Sequence, residues 1–309
     1  MKILITGGAG FIGSHLTDRL VADGHEITVL DSLLRGNKLA KDTFEKIEFI
    51  KGDVRDLDLV VKASKNCDII FHMAAVLGVD IVADNPVETM DVEIIGTRNV
   101  VTAAEMNNVK KVMYASTSGI YGHSIFEKSL SEEVLVDPRT SYAMAKRYNE
   151  IYLASHHQEK GLNTISLRFF NIYGTRQDNR MVVPLFFEQA LEKMPISVFG
   201  TGEQTRDFTY IDDTVEACVR AMKLDGCEII NIANEKEYNI KTVAEMIKEV
   251  TNSTSEIKYI EAPKKRYDYE VGRRIGNSMK LEKLTGYKPK TTLEDGLKKI
   301  FNIQYTKHL

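Results

Sequence analysis

The chain has 309 residues, 43% hydrophobic and 28% charged, with a formal net charge of -3 at pH 7. That length can bury the core of one large α/β domain or two unequal lobes, and the near balance of charge excludes an overall field that draws it to nucleic acid or anionic membrane. Three scattered cysteines, Cys67, Cys218 and Cys227, lack any C-x-x-C spacing and argue against a disulfide framework or a zinc site.

Taken in chain order, Lys2 to Thr6 predicts a strand, and Gly7 and Gly8 cut this first apolar run too early for a signal peptide. Phe11 to Ala22 predicts a helix, Glu26 to Leu30 a strand, Ile47 to Ile50 a strand and Asp56 to Lys65 a helix. Asp68 to His72 follows as a strand, Val87 to Asn108 as a long helix and Lys111 to Ala115 as a strand. Arg139 to Glu159 is a helix and Asn163 to Phe169 a strand. Such alternation predicts an α/β fold: a doubly wound parallel sheet with helices on both faces. After about Phe170 the elements shorten and Gly and Pro become frequent, as at Gly174, Pro184, Pro195, Gly200 and Gly202. We therefore expect residues 1–170 to form a Rossmann-type domain and 171–309 a smaller C-terminal α/β lobe, with some later segments returning to the first domain. No window approaches the ~18 apolar residues of a membrane span, so a cytoplasmic chain is expected.

Thr6-Gly7-Gly8-Ala9-Gly10-Phe11-Ile12-Gly13 leaves a strand and opens a helix. It reads as G-x-G-x-x-G through Gly8, Gly10 and Gly13, or as G-x-x-G-x-x-G through Gly7, Gly10 and Gly13. Either way, a turn without Cβ atoms lets backbone approach a pyrophosphate at the helix N-terminus. Asp31 ends the next strand, where a carboxylate accepts the ribose 2′-hydroxyl and repels a 2′-phosphate. NAD is thus favoured over NADP, with Arg35 nearby as the argument for the latter. Asp53 and Val54, in Gly52-Asp53-Val54, follow the third strand; Asp53 is either an acceptor for the adenine amino group or a helix N-cap. His72-Met73-Ala74-Ala75 ends the fourth strand at the carboxyl edge, where Ala74 and Ala75 leave room for a cofactor and His72 reads as a packed strand residue.

Tyr142 and Lys146 stand four apart in a helical pattern and share one face. A neighbouring ammonium favours the phenolate, which brings Tyr142 towards the range of a working acid/base. Ala115 to Gly122 follows the fifth strand, and its hydroxyls either reach a reacting group or cap their own turn. Asp212-Asp213, at a strand-to-helix junction, reads as a helix cap, and His156-His157 lacks metal-ligand spacing.

The segments TGGAGFIG, DSLLRGN, GDVRD, HMAA, STSGIYG, YAMAK, LRFFNIYG and FGTGEQTRDFTYIDD together resemble the NAD-dependent epimerase/dehydratase family of extended short-chain dehydrogenases. The resemblance runs from Met1 to about Gly286 and is greatest to nucleotide-sugar 4-epimerases. It implies that Thr117, Tyr142 and Lys146 are catalytic and that NAD stays bound. It further implies that Asn171, Val182, Phe199, Arg206 and Arg266 bind a nucleoside-diphosphate sugar, with Asp268 or Glu270 standing in for a family carboxylate. Dehydratases of the family carry an Asp-Glu pair directly after the Thr, and several decarboxylases keep the Glu; this chain has Ser118 and Gly119. The departure leaves oxidation and re-reduction at the sugar C4 as the implied reaction, ahead of dehydratase, decarboxylase or net dehydrogenase chemistry and of a catalytically silent NAD-binding regulator. Arg274 falls near a position that selects sugar size and favours an acidic sugar. Glu93 stands where the family usually has Asn. The resemblance also implies a homodimer joined by a four-helix bundle, with Val92, Ile95, Val100, Tyr148 and Tyr152 as candidate contacts.

Overall fold

Short runs rich in Ile, Val and Leu, each too apolar to face water, build the centre of the molecule. The computed structural model describes residues 1–76, 79–122, 129–262 and 271–306. The first half runs β1 (Lys2–Thr6), α1 (Phe11–Ala22), β2 (Glu26–Asp31), α2 (Lys41–Phe44), β3 (Glu48–Lys51), α3 (Leu57–Ala63) and β4 (Ile69–His72). It continues with α4 (Val79–Asp84), α5 (Pro86–Met106), β5 (Lys111–Thr117), α6 (Ser141–Lys160) and β6 (Asn163–Phe169). The second half begins with β7 (Ile172–Tyr173), α7 (Val182–Leu191), β8 (Ile196–Phe199), β9 (Thr205–Asp207), β10 (Thr209–Tyr210), α8 (Ile211–Ala221) and β11 (Cys227–Ile232). It ends with β12 (Glu237–Asn239), α9 (Ile240–Thr251), β13 (Ile257–Ile260), β14 (Arg273–Arg274), α10 (Met279–Thr285) and α11 (Leu293–Ile300).

Seven strands form one parallel sheet in the order β11-β6-β5-β4-β1-β2-β3. The order reverses between β1 and β4, which opens a crevice at the carboxyl ends of Thr6 and His72. Cys227–Ile232, from the second half, completes one edge by pairing with β6. One core cluster packs Leu16 and Leu20 of α1 and Val215 of α8 on one face of the sheet. A second packs Val60 of α3, Val100 and Val101 of α5 and Leu153 of α6 on the other. Val100 is therefore a core residue and not a dimer contact.

Local chemistry fixes the helix that matters most for the site. Thr140 caps α6 by accepting the Ala143 N–H at 3.0 Å, and Gly161 ends the helix in the left-handed region. Asp56 caps α3. Outside the main sheet, β9 pairs with β12 and β14, β8 with β13, and β7 with β10. Among the described residues no helix is long and apolar enough to cross a membrane.

Candidate active site

The glycine turn closes on itself because nothing larger fits. Gly7 has φ +69°, and a Cβ there would lie 2.6 Å from the Ala74 nitrogen. A Cβ on Gly13 would lie 2.1 Å from the Gly7 carbonyl oxygen. These contacts bring α1 against the end of β1 and bring both against Ala74 and the loop after β4. Gly10 stands at the N-cap of α1 with no side-chain bond, so the N-terminal end of Phe11 and Ile12 is left to an anion. Asp31 closes the other side: its two oxygens accept the Ala9 N–H at 2.9 Å and the Leu33 N–H at 2.8 Å. Burial pushes its carboxyl up and these bonds pull it back. The cradle, the uncapped helix end and the acid at the strand tip fit a dinucleotide.

Asp53 is held by Arg55, whose guanidinium donates to both its oxygens, and this pairing keeps its pKa below the usual value. It is not a helix cap, since Asp56 fills that role. The Val54 side chain is buried beneath Gly96 in the second core cluster, and its carbonyl accepts the Asn99 amide at 3.0 Å. That leaves the Val54 side chain with no surface to offer a cofactor. His72 is fully buried between Thr6 at 2.7 Å and Thr97 at 3.1 Å, and burial pushes it down to about 3.

Thr117 ends β5, and its hydroxyl accepts the Gly119 N–H at 3.0 Å and lies near enough to Tyr142 to favour its ionised form. Tyr142 and Lys146 lie on one face of α6, with the ammonium 5.5 Å from the centre of the phenol ring. Thr117, Tyr142 and Lys146 thus come together, but the electrostatics differ from expectation. Lys146 is fully buried, donates to the Ala115 carbonyl at 2.7 Å and pairs with Glu93 at 2.9 Å. The ammonium therefore spends its charge on Glu93. The Tyr142 phenol is pushed well above its ordinary value by burial and then by the Glu93 charge, against the pull of the Thr117 hydroxyl. This direction is opposite to the lowering expected from Lys146 alone. Glu93 is itself pushed up by burial and pulled back by Lys146.

In the C-terminal half, Asn171 follows β6 with φ +33° and donates to the Asp207 carbonyl at 3.1 Å. Arg206 on β9 stands opposite Arg274 on β14. Burial and then the Arg206 charge push Arg274 down to about 10, and its buried Nε has no hydrogen-bond partner. Two guanidiniums side by side form a well for an anion. Phe199, Gly200, Gln204, Ala262 and Gly272 line a cavity of about 430 Å³. Val182 opens α7 and is not one of the residues that line this cavity. Arg266, Asp268 and Glu270 lie outside the described residues.

Residues 3–233 match the model of the NAD dependent epimerase/dehydratase family. The chain belongs to this family. Its cofactor is NAD. The chain is 37% identical to the UDP-N-acetyl-alpha-D-glucosaminuronate decarboxylase of Bacillus cytotoxicus over 96% of its own length and 95% of the relative's. It superposes on the UDP-glucose 4-epimerase of Thermotoga maritima, solved with UDP-glucose, with a TM-score of 0.92, 32% identity and 98% coverage of both chains. The UDP-glucose 4-epimerase of Thermus thermophilus, solved with NAD, gives a TM-score of 0.90 at 30% identity, again over 98% of both.

Two features of this epimerase/dehydratase family member escape sequence reasoning. One is Glu93, whose only signal is its departure from the usual Asn. The other is a buried ion pair in which Arg168 donates to Glu150 at 2.8 and 2.9 Å and to the Tyr121 hydroxyl at 2.8 Å. A charged residue inside an apolar strand should have signalled it. Asp213 is also not a cap: it accepts the Tyr287 hydroxyl at 2.7 Å and the Thr291 N–H at 2.8 Å, tying α8 to the segment before α11.

Proposed function

We propose that the protein is a nucleotide-sugar 4-epimerase that oxidises and re-reduces the sugar C4. The observation that carries this reading is that the two residues after Thr117, Ser118 and Gly119, bring no carboxylate beside it. Thr117 lies beside Tyr142, while Gly119, whose Cβ would lie 3.3 Å from the Thr117 hydroxyl, supplies no carboxylate. Elimination chemistry needs such an acid or base; exchange at C4 needs only the hydroxyl, the phenol and the ammonium.

Tyr142 takes the proton of the 4-hydroxyl and returns it on the reverse step, while Thr117 orients that oxygen. Gly7, Gly10, Phe11, Ile12, Gly13, Asp31, Ala74 and Ala75 hold NAD, which when bound accepts and returns hydride. Asp53 shapes the adenine end. The lobe after residue 170 binds the sugar nucleotide, with Arg206, Arg274 and Asn171 at the diphosphate and sugar and Phe199 and Val182 at the base. Exposed Ile95, Met144, Tyr148 and Ile151 on the packed pair α5 and α6 support a homodimer through that face.

A second reading has one observation in its favour. The unpartnered Nε of Arg274 suits a sugar carboxylate, and a 4-keto uronic acid is a β-keto acid that can lose CO2 without a further base. Incubation with UDP-, GDP-, CDP- and dTDP-sugars, followed by NMR and mass spectrometry, separates the two. Epimerisation gives an isomer of unchanged mass, and decarboxylation gives a lighter pentose.

A further inference from the structure

We propose that Glu93 is a positioning residue of the active site: by pairing with the Lys146 ammonium it draws that charge away from Tyr142, so the phenol gives up its proton only at higher pH. The inference rests on the reading of Tyr142 as the acid/base. Glu93 lies on α5, across from α6, and both Glu93 and Lys146 are fully buried. The pair is set at 2.9 Å, and the Ala115 carbonyl at 2.7 Å fixes the ammonium from β5. The aromatic rings around the ammonium are Tyr114 at 4.7 Å and Tyr142 at 5.5 Å.

Glu93 is anchored at three points. Its Oε1 accepts the Val76 N–H at 3.2 Å, from the loop that follows β4. Its carbonyl accepts the Asn149 amide of α6 at 2.9 Å and the Thr97 hydroxyl of its own helix at 2.7 Å. The last two fix the backbone of α5 at this turn, while the Val76 N–H and the Lys146 ammonium hold the carboxylate itself, one at each oxygen. The titratable groups that face this pair are Lys146 and Tyr142 from α6, Tyr114 from β5 and His72 from β4. His72 is neutral across the working range, and burial holds Tyr114 protonated. Lys146 and Glu93 are thus the charges that Tyr142 feels first.

The geometry has a consequence for binding. A hydroxyl of the bound cofactor that approaches Lys146 meets an ammonium already held by the Ala115 carbonyl and paired with the Glu93 carboxylate. Glu93 keeps Lys146 in place before the cofactor arrives, and its charge opposes ionisation of the phenol. After burial itself, the Glu93 charge is the main influence that pushes the phenol up.

The test is a near-ultraviolet titration of tyrosinate in the purified holoenzyme, with the curve of Tyr142→Phe subtracted to isolate Tyr142. It needs no substrate, so it can fail while the C4 reading stands, and product analysis can fail while it stands. Glu93→Gln removes the charge and keeps an acceptor for Val76. It should lower the Tyr142 midpoint by about one to two pH units. Glu93→Asn, the residue usual in the family, serves as a second neutral variant should the first not fold. Glu93→Asp keeps the charge and should titrate within a few tenths of a unit of wild type. An unmoved midpoint in the neutral variants overturns the proposal. Equal shifts in Glu93→Asp and Glu93→Gln also overturn it, because they mark a packing role without an electrostatic one.

Discussion

Replacing Gly13 with Ala should leave the chain folded and cripple its hold on NAD. The added Cβ would sit 2.1 Å from the Gly7 carbonyl oxygen and 2.8 Å from the Gly8 Cα, so about 1 Å of movement is needed to reach contact distance. Gly7 cannot retreat, because its own Cα position already lies against the Ala74 backbone and its carbonyl holds the Gly10 N–H at 3.1 Å. Helix α1 must therefore lift from β1, disturbing Leu16 and Leu20 in the core. Overpacking of this kind costs about 1–3 kcal/mol, or roughly 2–5 °C in Tm for a chain of this length. The same shift withdraws N–H groups from the pyrophosphate, and losing two charge-assisted bonds weakens NAD binding by about 100-fold or more. Calorimetric titration of NAD into the cofactor-stripped protein measures this directly. Gly24→Ala is the control: it has φ +80° and nothing within 4 Å of its Cβ, so it should lose about 1 kcal/mol of stability and no NAD affinity. Wild-type affinity in Gly13→Ala would refute the reasoning.

Tyr142→Phe should cut turnover by about 10²–10⁴-fold while NAD stays bound, as seen by comparing rates with cofactor absorbance. Arg168→Met strips buried Glu150 of its two-pronged partner, leaving Arg147 and Ser116 on it, and should lower the unfolding free energy by about 3 kcal/mol, the low end for a broken buried pair, in urea melts. Burial pushes Glu150 up, but Arg168, Ser116 and Arg147 hold it below its usual value, so wild type loses this stabilisation as the pH falls through the Glu150 pKa, a slope that should be weaker in the variant. Asp207 behaves in the opposite sense. Burial raises it to about 7, against bonds from the Asn234, Gly276 and Glu235 N–H groups, so the folded state binds a proton that the unfolded state releases near pH 4. Its contribution to stability should decline as pH rises from about 4 to 7 and level off above, and Asp207→Asn should flatten that part of a pH series of melts.

Much of the first half was legible because period and punctuation agree. Lys2–Thr6, Phe11–Ala22 and Asn163–Phe169 occupy the predicted positions, where apolar runs meet glycine turns. The glycine cradle was legible for the same reason, since a missing Cβ is visible in sequence. What was not legible lies in pairings between distant elements. Lys146 and Glu93 sit on different helices, and no spacing rule links them. The i,i+4 rule correctly put Lys146 beside Tyr142 but could not show that the ammonium is shared with a carboxylate from α5. Asp53 and Asp213 misled for a related reason: an Asp before a helix suggests a cap, yet Arg55 and the Tyr287 to Thr291 segment claim these carboxylates. The short strands after Phe170 carry too few residues each for periodicity to register.

The central claim is that the sugar C4 loses and regains its own hydrogen while Tyr142 carries the proton. A nucleotide sugar deuterated at C4, incubated with the wild-type protein in ordinary water, tests it most directly by NMR and mass spectrometry. The account predicts that both C4 epimers keep the deuterium at C4, with unchanged mass and no accumulation of NADH. Washout of the label into solvent, or a product lighter by water or CO2, would contradict it.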